Sequence, residues 1–302
     1  MNSIKASLLG IIAILIWSCF TALIRTLTES FGVVAGAALI YTIGAITLCI
    51  YNKGIPNIRK FPKSYLLGCG ILFVIYEILL SMAVGLSSSR QQSIEVSLIN
   101  YLWPCLIVFL SLFINKQKVS LLFWPGIALS FLGVAWSISG ENGFNIYNLI
   151  NNIKTDPIPY LLAFIAAFLW GLYCNLSKRF NNGNNGVPLF FIAVALILWT
   201  KFLLSSDTIG QVSVSAIVEL ILVGVLIAVA YAFWEIGIQK GNMLLLAILS
   251  YFTPIASVLF SAIWLETPLT ISFWYGVIMV TVGSLLCWFA TRVSNKATAV
   301  SH

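Results

Sequence analysis

The chain has 302 residues, of which 60% are hydrophobic, 14% aromatic and only 8% charged, with a mean hydropathy of +1.02. A soluble domain carries about 25% charged residues, so this composition excludes one and places the chain in a bilayer. The net charge of +7 comes from basic residues set singly or in small groups between apolar runs, not on one face, which argues against a nucleic-acid partner.

A span needs roughly 20 apolar residues to cross about 30 Å of hydrocarbon. Runs of that kind lie near 5–28, 32–52, 64–86, 91–114, 119–139, 157–180, 186–204, 215–238, 242–265 and 270–292. They predict an all-α integral membrane protein with ten transmembrane helices. The first run continues to Arg25 without a small-x-small cleavage pattern, so it reads as a retained span and not as a signal peptide. Placing the N-terminus inside puts twelve of the sixteen Lys and Arg residues on the inner side and leaves Arg25, Arg90, Lys154 and Lys201 outside. That bias is the one expected of cytoplasmic loops, and both termini are predicted cytoplasmic.

An ionised group at the centre of a span costs at least about 2.5 kcal/mol on insertion scales, so it should face protein or a wet cavity. Glu77, beside Tyr76, lies near the middle of the third span; it is a candidate to bind an ammonium or carry a proton, or else to act as interhelical glue. Glu95 opens the fourth span within reach of Arg90, which predicts an ion pair at the outer face. Further along that span Asn100 precedes Tyr101, and Pro104 predicts a kink, with Pro254 at the matching place in the ninth span. Paired kinks of this kind are candidate hinges or fixed bends.

Gly126, Ser130 and Gly133 in the fifth span, and Gly276 and Gly283 in the tenth, read as close-packing seams that would also suit a dimer contact. The connection 140–156 is rich in asparagine and is expected to hold a short interfacial helix around Ile146 to Ile153. In the sixth span Asn175 lies near Tyr173; like Asn100, it is a candidate for hydrogen bonding a polar solute or a neighbouring helix. Glu219, in the first turn of the eighth span, is expected to sit there for the helix dipole. The six cysteines form no C-x-x-C pair and the lone histidine is His302, so no metal and no other cofactor is expected. No G-x-x-x-x-G-K-[ST] motif and no His/Asp constellation occurs, which argues against ATP coupling by this chain and against an enzyme.

A shift of 150 lays Leu98–Trp136 over Ile248–Leu286 without a gap, with eight of 39 positions identical, among them Tyr101/Tyr251, Pro104/Pro254, Gly126/Gly276 and Gly133/Gly283. Random apolar helices would give about three. A shift of 153 sets Trp17 on Trp170. The expected organisation is a first five-helix repeat over 1–139, an external loop over 140–156, and a second repeat over 157–302 that ends in a short cytoplasmic tail. Five is odd, so the second copy enters from the opposite side. Inverted repeats mark secondary transporters, which bind a solute near the midplane and work by alternating access.

This five-plus-five pattern, with Trp17 and Trp170 opening the halves and Pro104 and Pro254 in their fourth helices, resembles the drug/metabolite transporter superfamily, EamA type. The stretch from Arg90 to Pro104, preceded by Tyr76 and Glu77, is similar to the bacterial aromatic amino-acid exporters of that superfamily. The resemblance implies an inner-membrane protein that moves aromatic amino acids and related amphipathic metabolites outward, through a central aromatic-lined cavity. It implies that Trp17, Tyr76, Tyr101, Trp103, Trp170, Tyr173, Tyr231 and Trp234 lie on cavity-lining helices, joined by Glu77, Asn100 and Asn175 as polar candidates. The expected partners are a small-molecule substrate and the lipid bilayer, and the expected assembly is a monomer. A broader drug or metabolite exporter is the alternative within the superfamily. A membrane-embedded enzyme or a channel is the alternative from another class.

Overall fold

The computed structural model of the chain describes residues 3–140, 143–180, 185–205, 208–209 and 212–300; His302 lies outside them. The described residues contain no strand. They form α1 (Ser3–Phe31), α2 (Val33–Tyr51), α3 (Gly70–Gly85), α4 (Arg90–Asn100), α5 (Trp103–Ile114), α6 (Phe123–Ile138) and α7 (Ile146–Thr155). After these come α8 (Pro157–Phe180), α9 (Val187–Leu204), α10 (Val214–Lys240), α11 (Met243–Ser250), α12 (Thr253–Trp264) and α13 (Ile271–Val300). A π-helical stretch, Tyr65–Cys69, runs straight into α3.

Among the described residues, eight helical stretches are long and apolar enough to cross a membrane, with α4 and α5 counted together, while Phe123–Ile138 and Thr253–Trp264 are shorter apolar helices. Their outer faces carry exposed Leu8, Leu15, Ile46, Leu196 and Ile221, the side chains lipid would cover. Polar groups close the helix ends that leave the apolar layer. Ser89 Oγ accepts from the Gln92 N–H at 3.0 Å to start α4, and Asn145 Oδ1 accepts from Tyr147 and Asn148 N–H to start α7, as N-caps do. Gly32, at φ 85°, makes the one-residue corner between α1 and α2.

The two prolines do more than kink. α4 ends at Asn100 and α5 starts at Trp103, so the fourth span is broken at Tyr101–Leu102; α11 and α12 are separated in the same way at Tyr251–Phe252. Pro104 and Pro254 sit in the first turn of α5 and α12, where a missing N–H costs no intrahelical bond. The expected kinks inside continuous helices are therefore corrected to breaks. Both second pieces have 12 residues, and two residues past the end of each stands a left-handed residue, Lys116 at φ 50° and Glu266 at φ 52°.

α6 packs along α13 through the small residues. A Cβ on Gly133 would come within 2.6 Å of the Gly276 carbonyl oxygen, and one on Gly126 within 3.0 Å of the Gly283 carbonyl oxygen. Ser137 Oγ donates to the Phe273 carbonyl at 3.2 Å and Trp136 Nε1 to Ser272 Oγ at 3.1 Å. The seam read in the sequence is thus filled from within the chain. The other main pairings set α1 against α10 and α12, α3 and α5 against α8, and α2 against α9 and α10. The surface helix α7 is tied down by Asn152 Nδ2, which donates to the Ile138 carbonyl at 2.7 Å, and leaves Ile146, Tyr147 and Ile150 exposed.

Candidate functional site

Where α1, α3, α8 and α10 converge on the two helix breaks, they enclose a cavity of about 530 Å³. Trp17, Tyr76, Glu77, Asn100, Tyr101, Trp103, Trp170, Tyr173, Tyr231 and Trp234 all line it. The lining continues past Ser177 to Tyr65, Asn185 and Val187, where the start of the π-helical stretch meets the turn before α9. Its volume falls in the range of about 300–1,000 Å³ typical of small-molecule sites.

The aromatic rings form two groups. On the α1/α10 side, Trp17 meets Tyr231 edge-on at 5.3 Å and Trp234 at 5.3 Å; on the α3/α8 side, Trp170 lies 4.6 Å from Tyr76 and stacks on Tyr173 at 5.1 Å. Phe73, fully buried, joins them, with its ring 5.8 Å from Tyr231, 6.1 Å from Trp170 and 5.4 Å from Tyr173. Sequence reasoning passed over Phe73 because a phenylalanine in an apolar run carries no mark.

Glu77 is buried, and both its oxygens are held: Oε2 accepts from Tyr41 Oη at 2.5 Å and Oε1 from Tyr231 Oη at 2.6 Å. Tyr41, on α2, was not singled out in the sequence. Depth would have found it, since Tyr41 and Glu77 stand about equally far from the outer ends of their predicted spans. Asn100, also buried, has an Oδ1 without a hydrogen-bond partner, a costly condition for a buried acceptor. Asn175 is not among the lining residues. Its Nδ2 donates to the Ile107 carbonyl at 3.0 Å and the Gly171 carbonyl at 2.9 Å, and its Oδ1 accepts from Asn115 Nδ2 at 2.6 Å. Those bonds tie α8 to α5, and they fit the glue reading of this amide.

The expected Arg90–Glu95 pair is corrected. Arg90 Nη2 lies 2.8 Å from Glu29 Oε2 and Arg25 Nε 2.8 Å from Glu29 Oε1, while Glu95 accepts from Tyr160 Oη at 2.5 Å and Gln91 Nε2 at 3.2 Å. Glu95 is buried on the side of α4 that meets α8, whereas Arg90 reaches out over the end of α1. Arg90 Nη1 also donates to the Leu265 carbonyl at 3.1 Å, and Arg25 Nη1 to the Ser87 carbonyl at 2.6 Å. This cluster joins the ends of α1, α3, α4 and α12, and none of its side chains lines the cavity. Glu219 likewise does more than face a dipole: it lies in the second turn of α10 and accepts from the Thr26 hydroxyl of α1.

The EamA-like transporter family matches residues 4–139 and 157–289 of the chain. The chain is 42% identical to the aromatic amino acid exporter YddG of Salmonella typhimurium over 292 residues, which is 97% of this chain and 99% of that one. It is 42% identical, over the same shares, to the aromatic amino acid exporter YddG of Escherichia coli. The exporter of the same name from Ancylobacter novellus is 27% identical over 86% of this chain and 88% of its own. A solved crystal structure covering 97% of this chain has the same fold, with a TM-score of 0.66 at 24% identity.

Proposed function

The chain belongs to the EamA-like transporter family, and from that premise we propose that it exports aromatic amino acids and related amphipathic metabolites. The carrying observation is the cavity, walled by Trp17, Tyr231 and Trp234 on one side and Tyr76, Trp170 and Tyr173 on the other, with Glu77 and Asn100 between them. A solute ring set against such walls gains about 0.5–1.5 kcal/mol per ring pair beyond the area it buries. The polar end of the solute meets Asn100 Oδ1 and the Glu77 carboxylate, and Tyr101 and Trp103 complete the wall at the helix break. Asn175 supports this wall from behind through its bonds to α5.

The ten spans form two inverted five-helix repeats, 1–139 and 157–302, that rock about the cavity by alternating access. Several features support this. The broken helices α4/α5 and α11/α12 keep one register 150 residues apart, down to the left-handed Lys116 and Glu266. Exchanging each helix for its counterpart also turns the pair α1/α10 into α8/α3, and α5/α8 into α12/α1, while α2/α9 and α6/α13 map onto themselves; all six pairings occur. Pro104 and Pro254, at the breaks, are the hinges of this motion. With both termini cytoplasmic in a bacterial inner membrane, as the charge bias predicts, the Tyr65–Asn185 side of the cavity faces the cytoplasm. The Arg25–Glu29–Arg90 cluster then closes the outer side.

The test is uptake of labelled tryptophan, phenylalanine, leucine and threonine by liposomes holding the purified chain, with and without a pH gradient. The expected result is saturable movement of the aromatic pair, inhibited by each other and not by threonine. Equal movement and mutual competition among all four would overturn the aromatic reading in favour of a broader metabolite exporter. Flux that fails to saturate would point to a channel.

A further inference from the structure

Glu77 is held by two phenols in unlike settings. Tyr41, which binds Oε2, is 1% exposed, lies edge-on against Phe191 at 5.3 Å, and does not line the cavity. Tyr231, which binds Oε1, is part of the cavity wall and half-buried. Tyr41 holds the oxygen turned from the cavity, so a cationic solute in the cavity approaches Glu77 on the side where the Tyr231 hydroxyl binds Oε1. The Tyr231 ring stands edge-on against Trp17 at 5.3 Å and Phe191 at 5.4 Å, so a solute ring that settles against Trp17 presses on the residue that covers the carboxylate. The Glu77–Tyr231 bond also joins α3 to α10, which lie on opposite sides of the external loop.

We propose that Tyr231 is a displaceable cap on Glu77: the primary ammonium of an aromatic solute replaces the Tyr231 hydroxyl at Oε1, which gives the site its selectivity for ammonium-bearing solutes and releases a bond between α3 and α10. Tyr41 is a positioning residue that keeps the carboxylate turned toward the cavity. This inference rests on the reading of the cavity as the solute site. The phenol gives way to an ammonium because both bonds use the ionised carboxylate as acceptor, but only the ammonium adds the attraction of opposite unit charges, which strengthens away from bulk water. Solutes without the ammonium leave the cap in place and gain nothing from Glu77.

The experiment measures binding of tryptophan, tryptamine and indole-3-propionate to the purified full chain, in the wild type and in Tyr231→Phe. The phenylalanine keeps the ring contacts and removes the cap. Expected is a 3- to 10-fold tightening for tryptophan and tryptamine, about the worth of one hydrogen bond that no longer has to be broken, with indole-3-propionate unchanged. An equal shift for all three ligands, or none for any, overturns the proposal. A second readout does not depend on the variant's folding: in the infrared difference spectrum of the wild type, tryptamine shifts a carboxylate band that indole-3-propionate leaves alone. The same spectrum in Glu77→Gln lacks that band. If leucine and tryptophan both show the Tyr231→Phe effect at similar affinity, the cap stands and the aromatic reading falls. If tryptophan and indole-3-propionate bind equally and the variant changes neither, the cap falls and the aromatic reading stands. Folded wild-type chain that binds none of the three overturns both.

Discussion

Two asparagines that look alike in the sequence are predicted to behave in opposite ways when truncated. Asn100 lines the cavity with an unpartnered Oδ1, so on the proposed reading of the cavity Asn100→Ala removes an acceptor offered to the solute. The half-saturation constant for tryptophan should rise by about 5- to 10-fold, the worth of one hydrogen bond, with thermal stability near wild type. Asn175→Ala leaves Asn115 Nδ2 and the Ile107 carbonyl without their partner between α5 and α8. It should cost roughly 1–3 kcal/mol of stability, read as a lower melting temperature in detergent, while the half-saturation constant of the folded fraction stays put. The sequence could not separate the two, because each amide sits at the depth of an aromatic residue and which neighbour it faces depends on helix rotation. α8 is apolar all round as far as Asn175, and the polar residues of α4 fall on every side of it, so neither helix has a single polar face to fix that rotation. Glu77 was legible for the opposite reason: a carboxylate in mid-span needs a wet or polar neighbour wherever the helix turns. Arg90 and Glu29 lie 61 residues apart on different helices, so nothing local announced their pairing, and the nearer Glu95 looked like the partner.

At the scale of elements, the close approach of α6 and α13 rests on glycines that leave no room for a side chain. Gly133→Ala would push a methyl against the Gly276 carbonyl oxygen at 2.6 Å, with the Met279 Cβ at 2.8 Å, and backbone cannot swing aside as a flexible side chain can. Overpacking of this sort costs typically about 1–3 kcal/mol. A clear drop in melting temperature is expected. Gly68→Ala, where a Cβ would meet nothing within 4 Å, is the control and should leave the melting temperature unchanged. The seam was readable as a seam, since small residues recur on one face of each helix, but its partner was not; the same pattern suits a second copy of the chain. The eight span-length helical stretches begin within a few residues of the predicted positions, because hydrocarbon thickness sets helix length, while α6 and α12 are shorter and α13 runs on to Val300. The helix breaks were only half readable. Proline marks where a helix is interrupted, but whether the chain bends through or stops and restarts depends on the residues two and three positions before it, here Tyr101–Leu102 and Tyr251–Phe252.

For the molecule as a whole, the question is what holds one end of the bundle shut while the cavity lies toward the other. Glu29 on α1 accepts from both Arg25 and Arg90, and Arg90 also reaches the Leu265 carbonyl at the end of α12. α12 lies beyond the 140–156 connection from α1 and α4, so Arg90 ties together parts that the proposed alternating access would separate. The Arg90 and Glu29 side chains are 44% and 32% exposed, and solvent screening keeps each such pair to about 0.2–1 kcal/mol. That is too little to lock the molecule but enough to bias two states of similar energy by roughly 1.4- to 5-fold. Arg90→Ala is therefore expected to raise the population open at this end by that factor. Spin labels on Leu86 and Ile263, both exposed near the cluster, in a background without the native cysteines, would report it as a longer-distance component. High salt should produce the same component in the wild type, since screening weakens exposed pairs, and should add little to Arg90→Ala. A distance distribution unmoved by both salt and Arg90→Ala would mean that packing alone closes this end and that the cluster is an ordinary surface network.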